Sequence, residues 1–329
     1  MMLLSTCLYM SAYTKYSENA IFESVTQVRE CQDRAEVRLL ANQNDPKVVE
    51  FVQRLYASDP WVHIEYYADD APHAELFWRL GRKAQGRWVW FVEEGMAAAK
   101  GSVLYLIAVI EGITAGMNAK LIVVNSGAFS SAADLEAMGR NELANLKVTA
   151  SLIELPAGWE LLSRFTLDEL VRPSQMLMER ASWLATSYRD AQSEVQDPHL
   201  VSAMQLCTRG MTIFFPRVCV MRLSDVFLTR GTKRSAVFHL CELPYLYQKA
   251  VAMGFKSGRA AKEVVRVFKA RRDECASLFL DPEGNAAEIA SLKANHMAYA
   301  HFLTTILPFS LRAKSDSGRA ALRRIAAGG

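Results

Sequence analysis

The chain has 329 residues, of which 51% are hydrophobic and 22% charged, enough for one large domain or two modest ones with real cores. A formal charge of +3 is too mild to argue by itself for a polyanionic partner. The six cysteines (Cys7, Cys31, Cys207, Cys219, Cys241 and Cys275) are scattered, with no CxxC pair and no histidine at ligand spacing. They read as reduced thiols, and neither a metal site nor a cofactor is expected.

The first fourteen residues lack the basic start and the uninterrupted apolar core of an export signal. No stretch approaches the ~20 apolar residues of a membrane span, so a cytoplasmic protein without membrane contact is expected. Val48, Val49, Phe51, Val52 and Leu55 recur at helical spacing. Residues 1–60 accordingly read as a helical N-terminal extension. A helix is expected over Ala74 to Lys83, and the apolar run Trp88 to Val92 reads as a buried strand. Small residues from Gly95 to Gly101 lead to an apolar helix from Val103 to about Thr114.

Lys120 to Asn125 reads as a second buried strand. Ser126-Gly127-Ala128-Phe129 reads as a tight connection into a helix that opens at Ser130-Ser131 and stops at Gly139. Val148 to Leu155 is a third strand, closed by Pro156-Ala157-Gly158. Strand and helix alternating in this way predict an α/β fold with a parallel sheet over 61–231. From Pro173 the pattern turns helical, with Met176, Leu177, Ala181, Leu184 and Tyr188 on one face. Residues 232–329 read as a basic, helical C-terminal domain. Its positive residues are mixed with Glu263, Asp273, Glu274 and Glu283, which favours a solvated helix face, so nucleic acid is not expected as a partner.

Three local patterns carry a family resemblance. Lys100-Gly101-Ser102-Val103 stands at the head of a helix, where backbone N–H groups and the helix dipole can meet a developing oxyanion. Gly127-Ala128-Phe129-Ser130-Ser131-Ala132-Ala133 places a serine at a strand-to-helix turn, 27 residues after Val103. Leu152-Ile153-Glu154-Leu155-Pro156-Ala157-Gly158 and then Gln196-Asp197-Pro198-His199-Leu200-Val201-Ser202-Ala203 follow. In order and interval these segments resemble the proteolytic subunit of the Clp protease and the wider Clp/crotonase superfamily.

The resemblance implies a Clp/crotonase-like core of parallel strands and helices in an oligomer of like subunits. It implies Ser130 as nucleophile, the amides of Gly101 and Ser131 as oxyanion hole, and Asp197 as the acidic partner. Glu154 stands where that family carries its histidine, and His199 is the other candidate base. A serine-type peptidase or hydrolase acting on polypeptide is one function this implies. A catalytically silent Clp-like scaffold or partner subunit is the other. Ser130 and Asp197 also suit helix capping, since Ser is a favoured N-cap and Asp-Pro often opens a helix. A glutamate used in the crotonase manner would fall on Glu154 or Glu136.

Overall fold

The computed structural model describes residues 1–68, 71–113, 115–129, 152–191, 195, 197–223 and 238–270. The chain divides into two compact units. The first (Met1–Phe165, Glu169–Gln192 and Asp197–Val226) contains a nine-stranded sheet.

The sheet begins inside the first ten residues. Strand β1 (Leu4–Met10) is buried along its whole length, as a strand flanked on both edges and covered on both faces must be. Helix α1 (Lys15–Arg29) follows, capped by Thr14, whose hydroxyl accepts from the Ser17 N–H at 2.9 Å. Next come β2 (Ala35–Asn42), α2 (Pro46–Ser58), β3 (His63–Tyr67), α3 (His73–Lys83) and β4 (Trp88–Val92). Asp45 caps α2 by accepting from the N–H groups of Lys47 and Val48, with Pro46 in the first turn. These four strands are mutually parallel in the order β3-β2-β1-β4.

Residues 1–60, expected to be a helical extension, therefore supply two central strands and two helices. The polar residues Ser5, Glu36 and Arg38 hide the strand pattern in the sequence. All three are buried, and they meet at one oxygen of Glu36. Ser5 Oγ donates to Glu36 at 2.5 Å, Arg38 Nε lies 3.3 Å from the same oxygen, and the Gln85 N–H donates to it at 2.6 Å.

Beyond β4 the sheet turns mixed. Strand β5 (Met96–Ala98) precedes α4 (Ser102–Gly112), and β6 (Ala119–Phe129), β7 (Ile153–Leu155), β8 (Met176–Glu179) and β9 (Met211–Leu223) complete it. The order continues β4-β8-β6-β9-β5, with β7 also on β9. Here β6 and β9 run parallel, while β8, β5 and β7 are antiparallel to their neighbours. Short helices α5 (Glu160–Arg164), α6 (Arg180–Leu184) and α7 (Tyr188–Ala191) and the longer α8 (Pro198–Arg209) lie between these strands in sequence.

The strand Trp88–Val92 lies where the sequence places it, and the helices expected near 74–83 and 103–114 are His73–Lys83 and Ser102–Gly112. Two expectations are corrected. Met176 to Glu179 is strand rather than helix, because its apolar residues are buried between β4 and β6. The expected connection Ser126 to Phe129 is the far end of β6, where the β9 ladder runs from Ser126↔Val220 to Phe129↔Leu223.

The second unit comprises Thr166–Asp168, Ser193–Gln196 and Phe227–Gly329. Its described part is a π-helical turn (Phe238–Glu242) leading into α9 (Leu243–Ala252), then α10 (Ser257–Ala270). Tyr247 stacks on Phe255, and His239 Nε2 meets Asp168 at 2.5 Å.

Candidate functional site

The strand order reverses direction at β1. The chain goes from β1 to β2 on one side, then returns to place β4 on the other. In open α/β sheets, such a reversal leaves a crevice outside the carboxyl ends of the two strands, because their following loops diverge. The loop that leaves β1 here is Ser11 to Thr14, and its backbone is held from both sides by side chains.

From the β4 side, Glu94 Oε1 accepts from the N–H groups of Ser11 at 3.1 Å and Ala12 at 3.2 Å, and Glu94 Oε2 accepts from the Ser11 hydroxyl. From the β2 side, Asn42 Nδ2 donates to the Ser11 carbonyl at 2.9 Å, and Asp45 Oδ2 accepts from the Tyr13 N–H at 3.0 Å. Asp45 thus caps α2 with one oxygen and fixes the β1 loop with the other. The Tyr13 N–H and then those of Lys47 and Val48 hold its carboxyl below the usual range, against a smaller opposing effect of burial. Asn44 extends the same rim toward β3 by donating to the Ala68 carbonyl at 2.6 Å.

The first turn of α1 carries a second charged group. Glu18 is buried, and burial alone would raise its pKa. Hydrogen bonds from Tyr13 and Lys15, with the charges of Lys15 and Arg54, outweigh burial and leave it below its ordinary value. The Tyr13 hydroxyl donates to Glu18 at 2.5 Å, and that bond shifts the phenol upward. Lys15 lies 3.2 Å and Arg54 3.4 Å from the Glu18 carboxylate, with side chains 72% and 55% exposed. The helix N-terminus, Lys15 and Arg54 make this end of the crevice suited to an anion. Glu93, on the β4 side, accepts from the Ser174 hydroxyl at 3.0 Å. Among the described residues, no three His, Cys, Asp or Glu side chains come together as a metal-ion cage.

The residues singled out by the sequence lie elsewhere. Gly101 sits at the head of α4 with φ 74°, a left-handed conformation that glycine adopts without strain. Glu154 is exposed on β7 and opposite Ile213 of β9, whereas Ala98, just before the Gly101 turn, is opposite Val220. Seven positions along β9 separate these pairings, roughly 20 Å at about 3.3 Å per residue. Asp197 precedes α8 and is buried, and no hydrogen bond from its side chain caps the helix. His199, in the first turn of α8, is buried, with Nε2 2.8 Å from the Val171 carbonyl oxygen. Ser130, Ser131 and Glu136 lie outside the described residues.

The residues of the β1 crevice (Ser11, Tyr13, Glu18, Asn42, Asp45 and Glu94) were missed by the sequence reading. The signals that mark them are local: Asp45-Pro46 as a helix opening, Thr14 as a cap, and the acidic pair Glu93-Glu94 directly after an apolar strand.

Neither a protein-family model nor a curated protein sequence matches the chain. Solved structures do. TarS 1-349 of S. aureus in complex with UDP matches with a TM-score of 0.55 at 11% identity, covering 100% of this chain and 92% of that one. The same protein in complex with UDP-GlcNAc gives 0.53 at 10% identity, covering 99% and 92%. The mannosyltransferase PcManGT of Pyrobaculum calidifontis, in complex with GDP-Man and Mn2+, gives 0.49 at 13%, covering 98% and 79%. The Clp/crotonase resemblance and the serine-peptidase and Clp-scaffold readings that followed from it are thereby overturned. The segment read as a strand-to-helix nucleophile turn is strand up to Phe129, and the solved structures that share the architecture include TarS 1-349 in complex with UDP and with UDP-GlcNAc. The chain has the mixed α/β fold of TarS 1-349, a central sheet built around a parallel four-stranded half.

Proposed function

We propose that this chain binds a nucleoside-diphosphate sugar in the crevice after β1 and transfers its glycosyl group. The observation that carries the reading is the loop Ser11 to Thr14. It lies at the strand-order reversal and is fixed before any ligand arrives by Glu94, Asn42 and Asp45. The TarS complexes with UDP and UDP-GlcNAc, on the same fold, support the choice of ligand class.

In such a reaction an acceptor hydroxyl forms a bond to the anomeric carbon of the sugar and gives up its proton to water as the bond to the diphosphate oxygen breaks. Negative charge then grows on the leaving nucleoside diphosphate. Lys15, Arg54 and the amino end of α1 are the groups of this crevice that can take up that charge. A loop held in one geometry lowers the ordering cost of binding.

Calorimetric titration of the full chain with UDP and UDP-GlcNAc tests the reading. Saturable one-to-one binding is expected, with UDP-GlcNAc raising the unfolding midpoint by an amount that grows with the logarithm of ligand concentration above the dissociation constant. Replacing Lys15 and Arg54 together by Met should weaken both ligands. Absence of heat and of any midpoint shift with UDP, UDP-GlcNAc and other nucleoside-diphosphate sugars would end the proposal.

A further inference from the structure

An acidic residue directly after a strand that borders a nucleotide crevice has two physically distinct uses. It can face the ligand and bind a cation that bridges to phosphate, or it can turn back and hold the protein's own loop. The two uses compete for the same lone pairs. Glu94 has both oxygens occupied by the β1 loop, Oε1 by two backbone N–H groups and Oε2 by a hydroxyl. Hydrogen bonds to an ionised carboxylate are among the stronger ones, and three on one group fix its orientation. One lone-pair site, on Oε2, is left over, so chelating a cation with both oxygens would require giving up part of this set, and with it the geometry of Ser11 and Ala12.

We infer that Glu94 is a positioning residue that acts on the ligand through the Ser11–Ala12 backbone, and not a ligand of a phosphate-bound cation. The inference rests on the nucleotide reading above for its consequence but not for its geometry. Glu94 ties the end of β4 to the end of β1, the two strands between which the order reverses, so one side chain sets the width of the crevice mouth. A neutral amide of the same shape can do the same work. The carbonyl oxygen of Gln accepts from the two N–H groups, and its NH₂ donates to the Ser11 hydroxyl, which turns to accept. A cation ligand has no such tolerance, because the amide lacks the charge.

The two variants Glu94→Gln and Glu94→Ala separate these uses. Affinity for UDP is measured by calorimetry with and without Mn2+, and hydrogen exchange at the amides of Ser11 and Ala12 is measured alongside. Glu94→Gln should keep UDP affinity within about threefold of the parent. It should also keep whatever ratio the parent shows between the two cation conditions. Glu94→Ala should weaken UDP by about tenfold or more through lost preorganisation and speed exchange at both amides.

Equal losses in the two variants, or an Mn2+ enhancement present in the parent and absent in Glu94→Gln, would overturn the inference. If the parent binds no UDP at all, the nucleotide reading fails alone and exchange still decides on the clamp. Faster exchange in Glu94→Ala with slow exchange in Glu94→Gln supports it, and parent-like exchange in Glu94→Ala refutes it.

Discussion

The two halves of the sheet solve the same burial problem differently. In the half β3-β2-β1-β4 every strand is parallel and every crossover contains a helix, so all four strands end on one side of the unit and their loops gather there. In the half β8-β6-β9-β5, with β7 on β9, the β8–β6, β9–β5 and β9–β7 pairings are antiparallel, so strands that run with β4 are mixed with strands that oppose it. The polar groups follow suit. The parallel half has a network of carboxylates and amides at its carboxyl rim, in Glu94, Asn42 and Asp45. A site built from loops needs strand ends that agree in direction, and the parallel half supplies four of them side by side.

Breaking the seam between the halves should have the largest effect. Trp90 of β4 is fully buried, faces β1 on one edge and β8 on the other, and donates from its indole N–H to the Ser174 carbonyl at 2.8 Å. Trp90→Ala should cost about 4 kcal/mol, within the range for truncating a buried aromatic. Urea unfolding followed by far-UV dichroism measures it. A loss under ~1 kcal/mol would mean that the halves do not depend on this strand.

A smaller loss is expected at Gly86, where the chain enters β4. An added Cβ there would lie 2.5 Å from the Ser5 nitrogen and 2.6 Å from the Leu4 carbonyl carbon, both backbone atoms of β1 that cannot swing aside. Gly86→Ala should cost about 2–3 kcal/mol by overpacking, read from the same urea curves. Serine should do no better.

Asp59 sharpens the comparison through pH. Its side chain, 1% exposed, accepts from Arg29 at 2.8 and 2.7 Å and from Ser58 and Trp61 at 3.0 Å each. The Arg29 hydrogen bonds hold its carboxyl below the usual value, against the opposing effect of burial. A depressed folded pKa makes the contribution fully present above the unfolded value, near 4, and lost as pH falls through the folded value. Asp59→Asn should therefore cost about 1–2 kcal/mol at pH 7, with Arg29 half exposed and partly screened. The gap to the parent should close below about pH 4, and a gap independent of pH from 3 to 7 would refute the assignment.

How much of this was legible beforehand depended on where the polar residues fell. Trp88 to Val92 and the helices around Leu80 and Leu106 declare themselves because local pattern and burial agree. The first two strands do not, because Ser5, Glu36 and Arg38 break the apolar run, and Ser5 and Glu36 are offset by contacts 31 and 49 residues apart in sequence, Ser5 with Glu36 and Glu36 with Gln85. Met176 to Glu179 misleads the other way. Met and Leu favour helices on propensity, and only the β4 and β6 ladders make them a strand. Asp45-Pro46, Thr14 and Glu93-Glu94 are visible one by one, but their convergence is not, for the same reason. The geometry of the site is a property of strand order, and no local motif encodes that Glu94 and Asp45 converge on Ser11 to Tyr13. The Gly-Ser-Val and Gly-Ala-x-Ser patterns, by contrast, were short enough to arise without the architecture they suggested.

The smallest effect should come from Glu154, in the mixed half. It is exposed on a three-residue edge strand, and its backbone supplies the β9 pairing whatever the side chain. Glu154→Ala should stay within ~0.5 kcal/mol of the parent, as surface changes away from partners do. UDP affinity should be equally untouched, because the groups that hold the β1 loop, Glu94, Asn42 and Asp45, come from the ends of β4 and β2 in the parallel half. Paired with Glu94→Ala in one titration, the comparison becomes a contrast between two glutamates. One follows a parallel strand at the reversal point and should govern binding, while the other sits on an antiparallel edge and should not. Equal losses from the two would mean that the mixed half shares in the site, and the division between the halves would fall.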